Sequence, residues 1–317
     1  MRHPWKAARV SNSVSGPTFA LIGVAGYIAR RHLEAIRDVG GTLTACCDIT
    51  DSVGILDSYF PAARFFTDSV EFEDFLSREP NRPDYFVVCT PNDLHAAHAA
   101  LGLRIGADVI LEKPPTLSSR ELEALTTLQA QSGHAIHPVL QLRYHDGLLR
   151  FRKLMEWKDP GQPVRVTVRY VTRRGQWFGI SWKGDPARSG TITFNIGIHL
   201  LDGLTGAIGA APEVIRAHAD PAGDRAEGTL QFGAVTVDWT LSTRETDLPA
   251  GTRAAAARYI AVDGDIICDF SDYSRLHSIV YQEIIAGRGH RIEDAAGAVK
   301  LAERVRQMAE TKLPAAY

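Results

Sequence analysis

Lys113 and His199 are the side chains of this sequence best suited to moving a proton. Lys113 stands between Glu112 and Pro114, directly after a short apolar run, and is one of only seven lysines. A lysine in a partly desolvated site loses its proton more readily than one in water. His199 and Asp202 lie three positions apart in a helical pattern, so the carboxylate can orient or charge-stabilise the imidazole. These residue types indicate acid–base chemistry.

A glycine-rich turn supplies the pattern of a dinucleotide site. Gly23-Val-Ala-Gly26-Tyr27-Ile28-Ala29 follows the first apolar run and opens a helical stretch. Glycines allow a tight turn beside a pyrophosphate, and a helix N-terminus adds unpaired amides and partial positive charge. Asp48 ends the next apolar run, where a carboxylate accepts the ribose hydroxyls of an adenosine and repels a 2′-phosphate. The pattern therefore predicts NAD rather than NADP.

Two further segments point at the same cofactor. Thr90-Pro91-Asn92-Asp93-Leu94-His95 follows the predicted strand 85–89, and Glu112-Lys113-Pro114 follows the predicted strand 109–111. In a doubly wound sheet the carboxyl ends of the strands line the ligand crevice. His95 and His98 have a spacing that metal ligands use, but no matching carboxylate or cysteine cluster accompanies them. We therefore predict a His95 that faces the cofactor, an incidental His98, and no metal.

Alternating strands and helices must bring these segments together in the first half of the chain. The predicted strands are 19–22, 43–47, 85–89, 109–111 and 136–140, and the predicted helices are 28–39, 71–77, 94–105 and 118–131. This alternation indicates βαβ units with right-handed crossovers. The fold class is therefore α/β, with an N-terminal Rossmann-type, doubly wound parallel sheet.

The pattern changes after a turn-rich break at 159–163, where apolar and polar residues begin to alternate at period two. The predicted strands are 164–171, 214–218, 229–232, 235–241 and 258–262, and the predicted helices are 196–208, 276–286 and 295–309. This mixture predicts a C-terminal α+β domain with an open, mostly antiparallel sheet and helices on one face. We predict a flexible tail over 1–17, a cofactor domain over 18–145 and a second domain over 146–317.

Composition excludes several classes of protein. The 35 basic and 37 acidic residues leave a net charge of −2, which argues against a dedicated nucleic-acid or membrane-surface binder. The longest apolar stretch near the start, 19–26, is far short of the roughly 20 residues of a membrane span. Four cysteines in a chain of 317 residues do not make a disulfide framework. We expect a cytoplasmic protein that binds a small molecule.

Taken together, the glycine turn, Thr90-Pro-Asn-x-x-His95, Glu112-Lys-Pro114 and Gly197-x-His199-x-x-Asp202 resemble the Gfo/Idh/MocA oxidoreductase family. The resemblance implies an N-terminal Rossmann domain that binds NAD. It also implies a mostly antiparallel C-terminal domain that carries the substrate site and the contacts of a homodimer or homotetramer.

Within that family, the chain is most similar to the UDP-N-acetyl-glucosaminuronate 3-dehydrogenases, through segments such as Leu140-Gln-Leu-Arg143, Arg174-Gly-x-Trp177 and Ser181-Trp-Lys-Gly-Asp-Pro186. The resemblance makes Lys113 and His199 the catalytic pair. The cofactor residues it implies are Gly23, Gly26, Tyr27, Ile28, Asp48, Ile49, Thr90, Pro91, Asn92, His95, Glu112 and Lys113. The substrate residues it implies are Arg143, Arg174, Trp177, Lys183, Asn195, His199 and Asp202.

The predicted reaction is the NAD-dependent oxidation of a ring secondary hydroxyl to a ketone, on a hexuronic acid linked to a nucleotide or nucleoside. His199 is the preferred base and Lys113 the group that positions the oxygen, although the two roles can be exchanged. Asp238 disfavours a nearby diphosphate, so a cytosylglucuronic acid 4-dehydrogenase of a peptidyl-nucleoside antibiotic pathway is the alternative. A non-catalytic NAD-binding sensor is a remote one, because Lys113, His199 and Asp202 are all present.

Overall fold

A six-stranded parallel sheet forms the first half of the fold. The computed structural model describes residues 16–209, 211–251, 254–270 and 272–310, so nearly all of the tail predicted over 1–17 lies outside the described residues. The strands are β1 (Thr18–Ile22), β2 (Thr42–Cys47), β3 (Arg64–Phe66), β4 (Tyr85–Val88), β5 (Asp108–Leu111) and β6 (Ile136–Pro138). Their order is β3-β2-β1-β4-β5-β6, which confirms the predicted doubly wound sheet.

Five helices connect these strands: α1 (Ala29–Asp38), α2 (Leu56–Tyr59), α3 (Ser69–Ser77), α4 (His95–Ile105) and α5 (Ser119–Ser132). Their ends follow local side-chain chemistry. The Asp68 carboxylate accepts the backbone N–H groups of Val70 and Glu71 at the start of α3, and the Ser118 hydroxyl accepts that of Glu121 at the start of α5. Strand β3 was not among the predicted strands, because only one of its three residues is buried.

A second six-stranded sheet follows, built from β7 (Val164–Thr172), β8 (Glu213–Ala219), β9 (Arg225–Phe232), β10 (Val235–Ser242), β11 (Ala256–Val262) and β12 (Asp265–Asp269). Its order is β12-β11-β7-β10-β9-β8, and every neighbouring pair is antiparallel except β7 with β10. The mostly antiparallel sheet confirms the predicted α+β character.

The remaining helices are α6 (Asp146–Trp157), α7 (Trp177–Ile180), α8 (Pro186–Ser189), α9 (Ile198–Ile208), α10 (Leu276–Ile285) and α11 (Ala296–Glu310). Helices α6 and α11 contact strands of the second sheet, and both contact α9. Helix α10 instead returns to the first sheet and packs on α1, where Val280, Tyr281 and Ile284 join the core around Phe19. This return brings a late segment of the chain beside the residues that follow β5.

Among the described residues, no helix is both long enough and apolar enough to cross a bilayer. The four cysteines, Cys46, Cys47, Cys89 and Cys268, are buried and unpaired. Burial raises the pKa of Cys47 to about 11, so this thiol stays protonated at neutral pH and packs as a small apolar side chain.

Candidate active site

A cleft of about 1170 Å³ is lined by the carboxyl ends of the parallel strands and by residues of the second sheet and the helices beside it. This volume exceeds the ~300–1,000 Å³ of a pocket for a single small ligand, so two ligands fit side by side. All the predicted cofactor residues line this cleft: Gly23, Gly26, Tyr27, Ile28, Asp48, Ile49, Thr90, Pro91, Asn92, His95, Glu112 and Lys113.

The glycine turn has the geometry of a phosphate cradle. Gly23 has a φ of +91°, and a Cβ placed on it would lie 2.7 Å from the carbonyl carbon of Cys89. Its N–H donates to the carbonyl of Cys47 at 2.8 Å, which holds the turn at the end of β2. Helix α1 then begins without a side-chain cap, so its N-terminal partial charge faces the cleft. The turn therefore fits the pyrophosphate of a dinucleotide.

Gly23→Ala is expected to destabilise the fold by about 3 kcal/mol or more, because it combines an unfavourable φ with a backbone clash. Gly40→Ala is the matched control: Gly40 also has a positive φ, +69°, but a Cβ there meets nothing within 4 Å. The control should cost only about 1–2 kcal/mol. Thermal unfolding of the two variants measures the difference, and equal midpoints would contradict the clash at Gly23.

Asp48 is fixed at the end of β2 by backbone donors. One carboxylate oxygen accepts the N–H of Ala25 at 2.9 Å, and the other accepts that of Thr50 at 3.2 Å. Each oxygen keeps a further lone pair for a ribose hydroxyl. Tyr27 and Ile49, which are 82% and 97% exposed, offer apolar surface for a flat ring near the turn. The set fits an adenosine with a free 2′-hydroxyl.

The loops after β4 and β5 are tied together by His95. Its buried ring lies between two carbonyl oxygens, with Nδ1 2.6 Å from that of Pro114 and Nε2 2.9 Å from that of Thr90. His98 bonds to a different group: its Nδ1 lies 2.9 Å from the Thr90 hydroxyl. Burial lowers the pKa of His98 to about 4. His95 thus shapes the floor of the cleft by holding two loops in place.

Lys113 reaches across the cleft to the second half of the chain. Its Nζ donates to the carbonyl of Asn195 at 2.9 Å. Burial lowers the pKa of Lys113, and the nearby Arg174 lowers it further, whereas the Glu112 carboxylate acts in the opposite direction. Asn195 lies in a π-helical turn, Thr193–Gly197, which leads directly into α9. Such turns are frequent at functional sites.

His199 occupies the same part of the cleft, on the first turn of α9. The turn before it packs closely, because a Cβ on Gly197 would lie 2.6 Å from a Leu241 methyl group. The imidazole is buried, with its Nε2 3.5 Å from the Gln141 side-chain nitrogen. Burial, together with the charge of Lys113, holds the pKa of His199 well below its ordinary value. A neutral imidazole is the form that accepts a proton.

Asp202 does not orient His199, contrary to the expectation from their spacing. Its buried carboxylate accepts two hydrogen bonds from the Arg143 guanidinium, at 2.9 and 2.7 Å. Arg143 also donates to the carbonyl of Asp294 at 2.7 Å. Neither Arg143 nor Asp202 lines the cleft, so the structure does not place them where substrate contact was expected. The pair instead fixes the turn that carries Gln141 against α9.

The substrate half of the cleft is lined by cations. Arg174, Lys183 and Arg258 line it, and none of them forms a salt bridge with a described residue. The Arg174 Nε is buried without a hydrogen-bond partner. Burial, together with Lys113 and Arg174, lowers the pKa of Lys183 to about 8. All three are half-buried, and cations without an ionic partner in such a cleft are suited to a ligand that brings the opposite charge.

The side chains around these cations are aromatic. Lys183 Nζ lies 3.9 Å from the centre of the Trp182 ring, and 5.8 Å from that of Trp177. Trp177 is half exposed and does not line the cleft, so Trp182 takes the place expected for it. Arg258 lies over the rings of Tyr170 and Tyr273, at 5.4 and 5.1 Å.

Several cleft residues were not among the sequence predictions. They include Gln141, Tyr170, Thr172, Trp182, Arg188, Arg258, Tyr273 and His277. Two of these had a signal, because Gln141 lies within Leu140-Gln-Leu-Arg143 and Trp182 within Ser181-Trp-Lys-Gly-Asp-Pro186. The remaining ones come from distant parts of the chain that only the tertiary fold brings together.

Asp238 lies outside the cleft, on β10, where it accepts the Thr229 hydroxyl at 2.8 Å. Its charge therefore gives no reason to exclude a diphosphate from the site.

Glu112 is an acidic group that does line the cleft. Together with His32 and His277, it forms the one set of described residues whose side-chain geometry could hold a metal ion. The absence of a metal stays a prediction.

Comparison with known proteins matches both halves of the chain. A family model described as "Oxidoreductase family, NAD-binding Rossmann fold" matches residues 18–139, and the model of the GFO/IDH/MocA C-terminal domain matches residues 148–249. The D-glucoside 3-dehydrogenase of Escherichia coli (strain K12) is 25% identical over 140 residues. That alignment covers 44% of this chain and 40% of the relative, so the chain spans about two fifths of this curated relative's length.

Solved structures are similar along nearly the whole chain. The WlbA (WbpB) dehydrogenase from Thermus thermophilus, solved with NAD and UDP-GlcNAcA, is 38% identical with a TM-score of 0.86, over 95% of this chain and 96% of that one. The same dehydrogenase was solved with NAD and alpha-ketoglutarate. The WlbA dehydrogenase from Bordetella pertussis, at 19% identity and a TM-score of 0.76 over 93% of this chain and 97% of that one, shares the fold.

Proposed function

The chain belongs to the Gfo/Idh/MocA oxidoreductase family, and we propose that it is an NAD-dependent dehydrogenase that oxidises the carbon 3 hydroxyl of a UDP-linked N-acetylhexosaminuronic acid. The observation that carries the proposal is the cleft itself. It joins a dinucleotide turn to Lys113 and His199, and it sets unpaired cations beside them. The similarity to a dehydrogenase solved with NAD and UDP-GlcNAcA supports the same substrate class.

The glycine turn, Asp48 and the loop after β4 would hold NAD, which supplies a hydride acceptor at carbon 4 of its nicotinamide when bound. The chain's own task is to bring the carbinol of the sugar to that ring and to remove the hydroxyl proton. Arg174, Lys183 and Arg258 bind the negative charges of the substrate, since no described carboxylate pairs with them. Charge pairing in a partly desolvated cleft orients the sugar more strongly than it would in water.

His199 accepts the hydroxyl proton as the carbon–hydrogen bond breaks. Its imidazole is neutral near neutral pH because burial lowers its pKa, so a lone pair is available before substrate binds. Lys113 donates a hydrogen bond to the same oxygen and stabilises the charge that develops on it. Loss of hydride from carbon and of the proton from oxygen leaves a ketone, and the proton on His199 then passes to water.

The test of the proposal is turnover with NAD, followed by the near-ultraviolet absorbance of NADH. UDP-N-acetylglucosaminuronic acid should react, whereas UDP-N-acetylglucosamine, which lacks the carboxylate, should react much more slowly. Reduction of the product with borodeuteride locates the ketone by mass spectrometry. Turnover confined to cytosylglucuronic acid would overturn the UDP assignment, and binding of NAD without turnover on any uronic acid would overturn the dehydrogenase.

Substrate affinity should weaken as the pH rises through about 8. The Lys183 ammonium attracts the uronic carboxylate only while protonated, and its pKa is lowered to about 8. Loss of one charge-assisted hydrogen bond is worth about tenfold in Kd. We expect Kd, measured by the change in tryptophan fluorescence on binding, to be constant below pH 7 and about tenfold higher at high pH. Lys183→Met should flatten this dependence; an unchanged profile in that variant would place the titration on another group.

We also propose that the enzyme acts in the cytoplasm as a homodimer or homotetramer. The four unpaired, buried cysteines support a reducing compartment. The division of the chain near residue 145 agrees with the change of sheet between β6 and β7. Light scattering of the purified protein counts the copies, and a monomer at working concentration would contradict the assembly.

A further inference from the structure

A buried anion lies behind Lys113, and nothing in the proposed reaction uses it. The Glu112 carboxylate is almost completely inaccessible. One of its oxygens lies 3.0 Å from His32 Nε2 and 3.1 Å from His277 Nε2. The other accepts the backbone N–H of Lys113 at 3.0 Å. Three elements thus converge on one carboxylate: α1, α10 and the segment after β5.

The hydrogen bonds define where the protons of this cluster lie. Because a carboxylate accepts and does not donate, both imidazoles direct an Nε2–H group at Glu112. His32 Nδ1 lies 2.7 Å from the Tyr281 hydroxyl, so this nitrogen accepts the hydroxyl proton. Each ring then donates one hydrogen bond to Glu112, and His32 also accepts one from Tyr281. The carboxylate of Glu112 is therefore the anion on which this cluster converges.

The pKa values of His32 and Glu112 agree with this assignment. Burial lowers the pKa of His32, which keeps its ring neutral. Burial alone would raise the pKa of Glu112, but the hydrogen bonds from His277 and His32 hold it well below its ordinary value. The carboxylate therefore stays ionised although it is out of contact with water. Removing the two imidazole donors would leave this charge with the Lys113 N–H alone.

The groups that face Lys113 explain why such an anion is needed there. Arg174, after β7, and Lys183, near α7, are both cations that act on it. His95 from α4 and His199 from α9 also face it, and burial lowers the pKa of both rings. Of the charged groups that act on Lys113, only Glu112 is negative. Without it, the half-buried ammonium would stand among other cations, which lowers its pKa further.

We propose that His32 and His277 are positioning residues, which hold Glu112 as a fixed anion so that Lys113 keeps its ammonium proton beside the reacting oxygen. The inference rests on the proposed function, since it explains how Lys113 stays charged for the role given to it there. The two imidazoles act on Lys113 through Glu112 and are not themselves given a contact with the reacting atoms.

The experiment is a titration of Lys113 by nuclear magnetic resonance, in protein labelled with ¹³C at the lysine ε carbons. Only seven lysines contribute signals, and Lys113→Arg identifies the one of interest. Glu112→Gln removes the charge and should lower the pKa of Lys113 by about one unit or more. His277→Leu should lower it in the same direction by less, because it only weakens the hold on Glu112.

Two further variants separate positioning from simple folding. His277→Gln keeps an N–H donor and should restore most of the titration that His277→Leu loses. His137→Gln is the matched control, because His137 is also a buried imidazole, bonded to the carbonyl of His290 and outside the cleft. It should leave the Lys113 titration unchanged. If His277→Leu does not fold, Glu112→Gln and His277→Gln still decide the question.

The outcomes distinguish this inference from the proposed function, because the titration needs no substrate. An unchanged Lys113 titration in Glu112→Gln overturns the positioning role, even if uronic acids are turned over. A shifted titration supports it, even if the substrate proves to be different. A stoichiometric metal ion that is lost in His277→Leu would overturn it as well, since the same three side chains would then be ligands.

Discussion

His199→Ala is expected to lower kcat by about 10²–10⁴-fold, the usual contribution of a positioned base. The variant removes the buried imidazole whose low pKa keeps it ready to accept a proton. NAD binding should be nearly unchanged, because His199 is not one of the residues proposed to hold NAD. Steady-state kinetics with the uronic substrate measures kcat, and quenching of protein fluorescence measures NAD affinity.

The pH profile adds a second, independent expectation for His199. A base must be unprotonated to act, and the pKa of His199 is held well below its ordinary value. Activity should therefore persist as the pH falls through 6, where an ordinary histidine gains its proton. An acid limb at the ordinary histidine pKa in the unchanged enzyme would place the base elsewhere.

His137→Ala serves as the matched control for His199→Ala. It removes another buried imidazole, one that contacts the carbonyl of His290 and does not line the cleft. A similar loss of kcat in both variants would indicate damage to the fold. Turnover of His199→Ala at the unmodified rate would show that His199 is not the base. Lys113→Ala belongs in the same series, and turnover of both variants at the unmodified rate would overturn the assignment of the catalytic pair.

The sequence predicted which of these residues gather at the cleft, because they follow apolar runs directly. Gly23, Asp48, Thr90 and Lys113 each stand within a few positions of the end of a buried strand. A parallel sheet places all such ends on one edge, so one assumption about topology assembled them all. The predicted core strands were correct for the same reason, since strands buried on both faces are continuous apolar runs.

The substrate half depended on contacts that no local pattern contains. Asp202 has the helical spacing to orient His199, yet Arg143, 59 positions away, takes both carboxylate oxygens. A bidentate guanidinium is a stronger partner for a buried carboxylate than an imidazole one turn away. His277 was missed for a similar reason. Helix α10 follows the second sheet in the chain but packs on α1 beside the first sheet, and no sequence pattern predicts this contact.

In the segment around Trp177, the sequence does not show which of two tryptophan side chains faces the cleft. Trp177 and Trp182 belong to two short helical turns, Trp177–Ile180 and Trp182–Gly184, joined at Ser181. Such short turns carry no periodic pattern that would tell which ring faces inward. The structure turns Trp182 into the cleft under Lys183 and leaves Trp177 half exposed. The residue type was therefore predictable there, but the position was not.

Asp48→Ser is expected to reduce the preference for NAD over NADP, as a ratio of kcat/KM, by about 10–100-fold. The carboxylate offers two charge-assisted hydrogen bonds to ribose hydroxyls, and its charge opposes a 2′-phosphate. The variant loses both effects. Arg30 and Arg31 also line the cleft, so a 2′-phosphate would meet positive charge once Asp48 is gone.

The structural role of Asp48 must be separated from its role toward the ribose. It accepts the Ala25 N–H and so supports the glycine turn, which means that Asp48→Ser weakens the turn for both cofactors. Asp48→Asn removes the charge and keeps one acceptor oxygen for the Ala25 N–H, but it loses the acceptor that the Thr50 N–H uses. A change in preference that Asp48→Asn shares with Asp48→Ser therefore does not come from loss of the Ala25 hydrogen bond. Asp51→Ser is the matched control, because Asp51 is an exposed carboxylate of the same loop that does not line the cleft. Equal binding of NAD and NADP by the unmodified enzyme would show that the charge of Asp48 does not select the cofactor. An equal change of preference in Asp51→Ser and Asp48→Ser would show that the selection comes from the electrostatic potential of the whole loop.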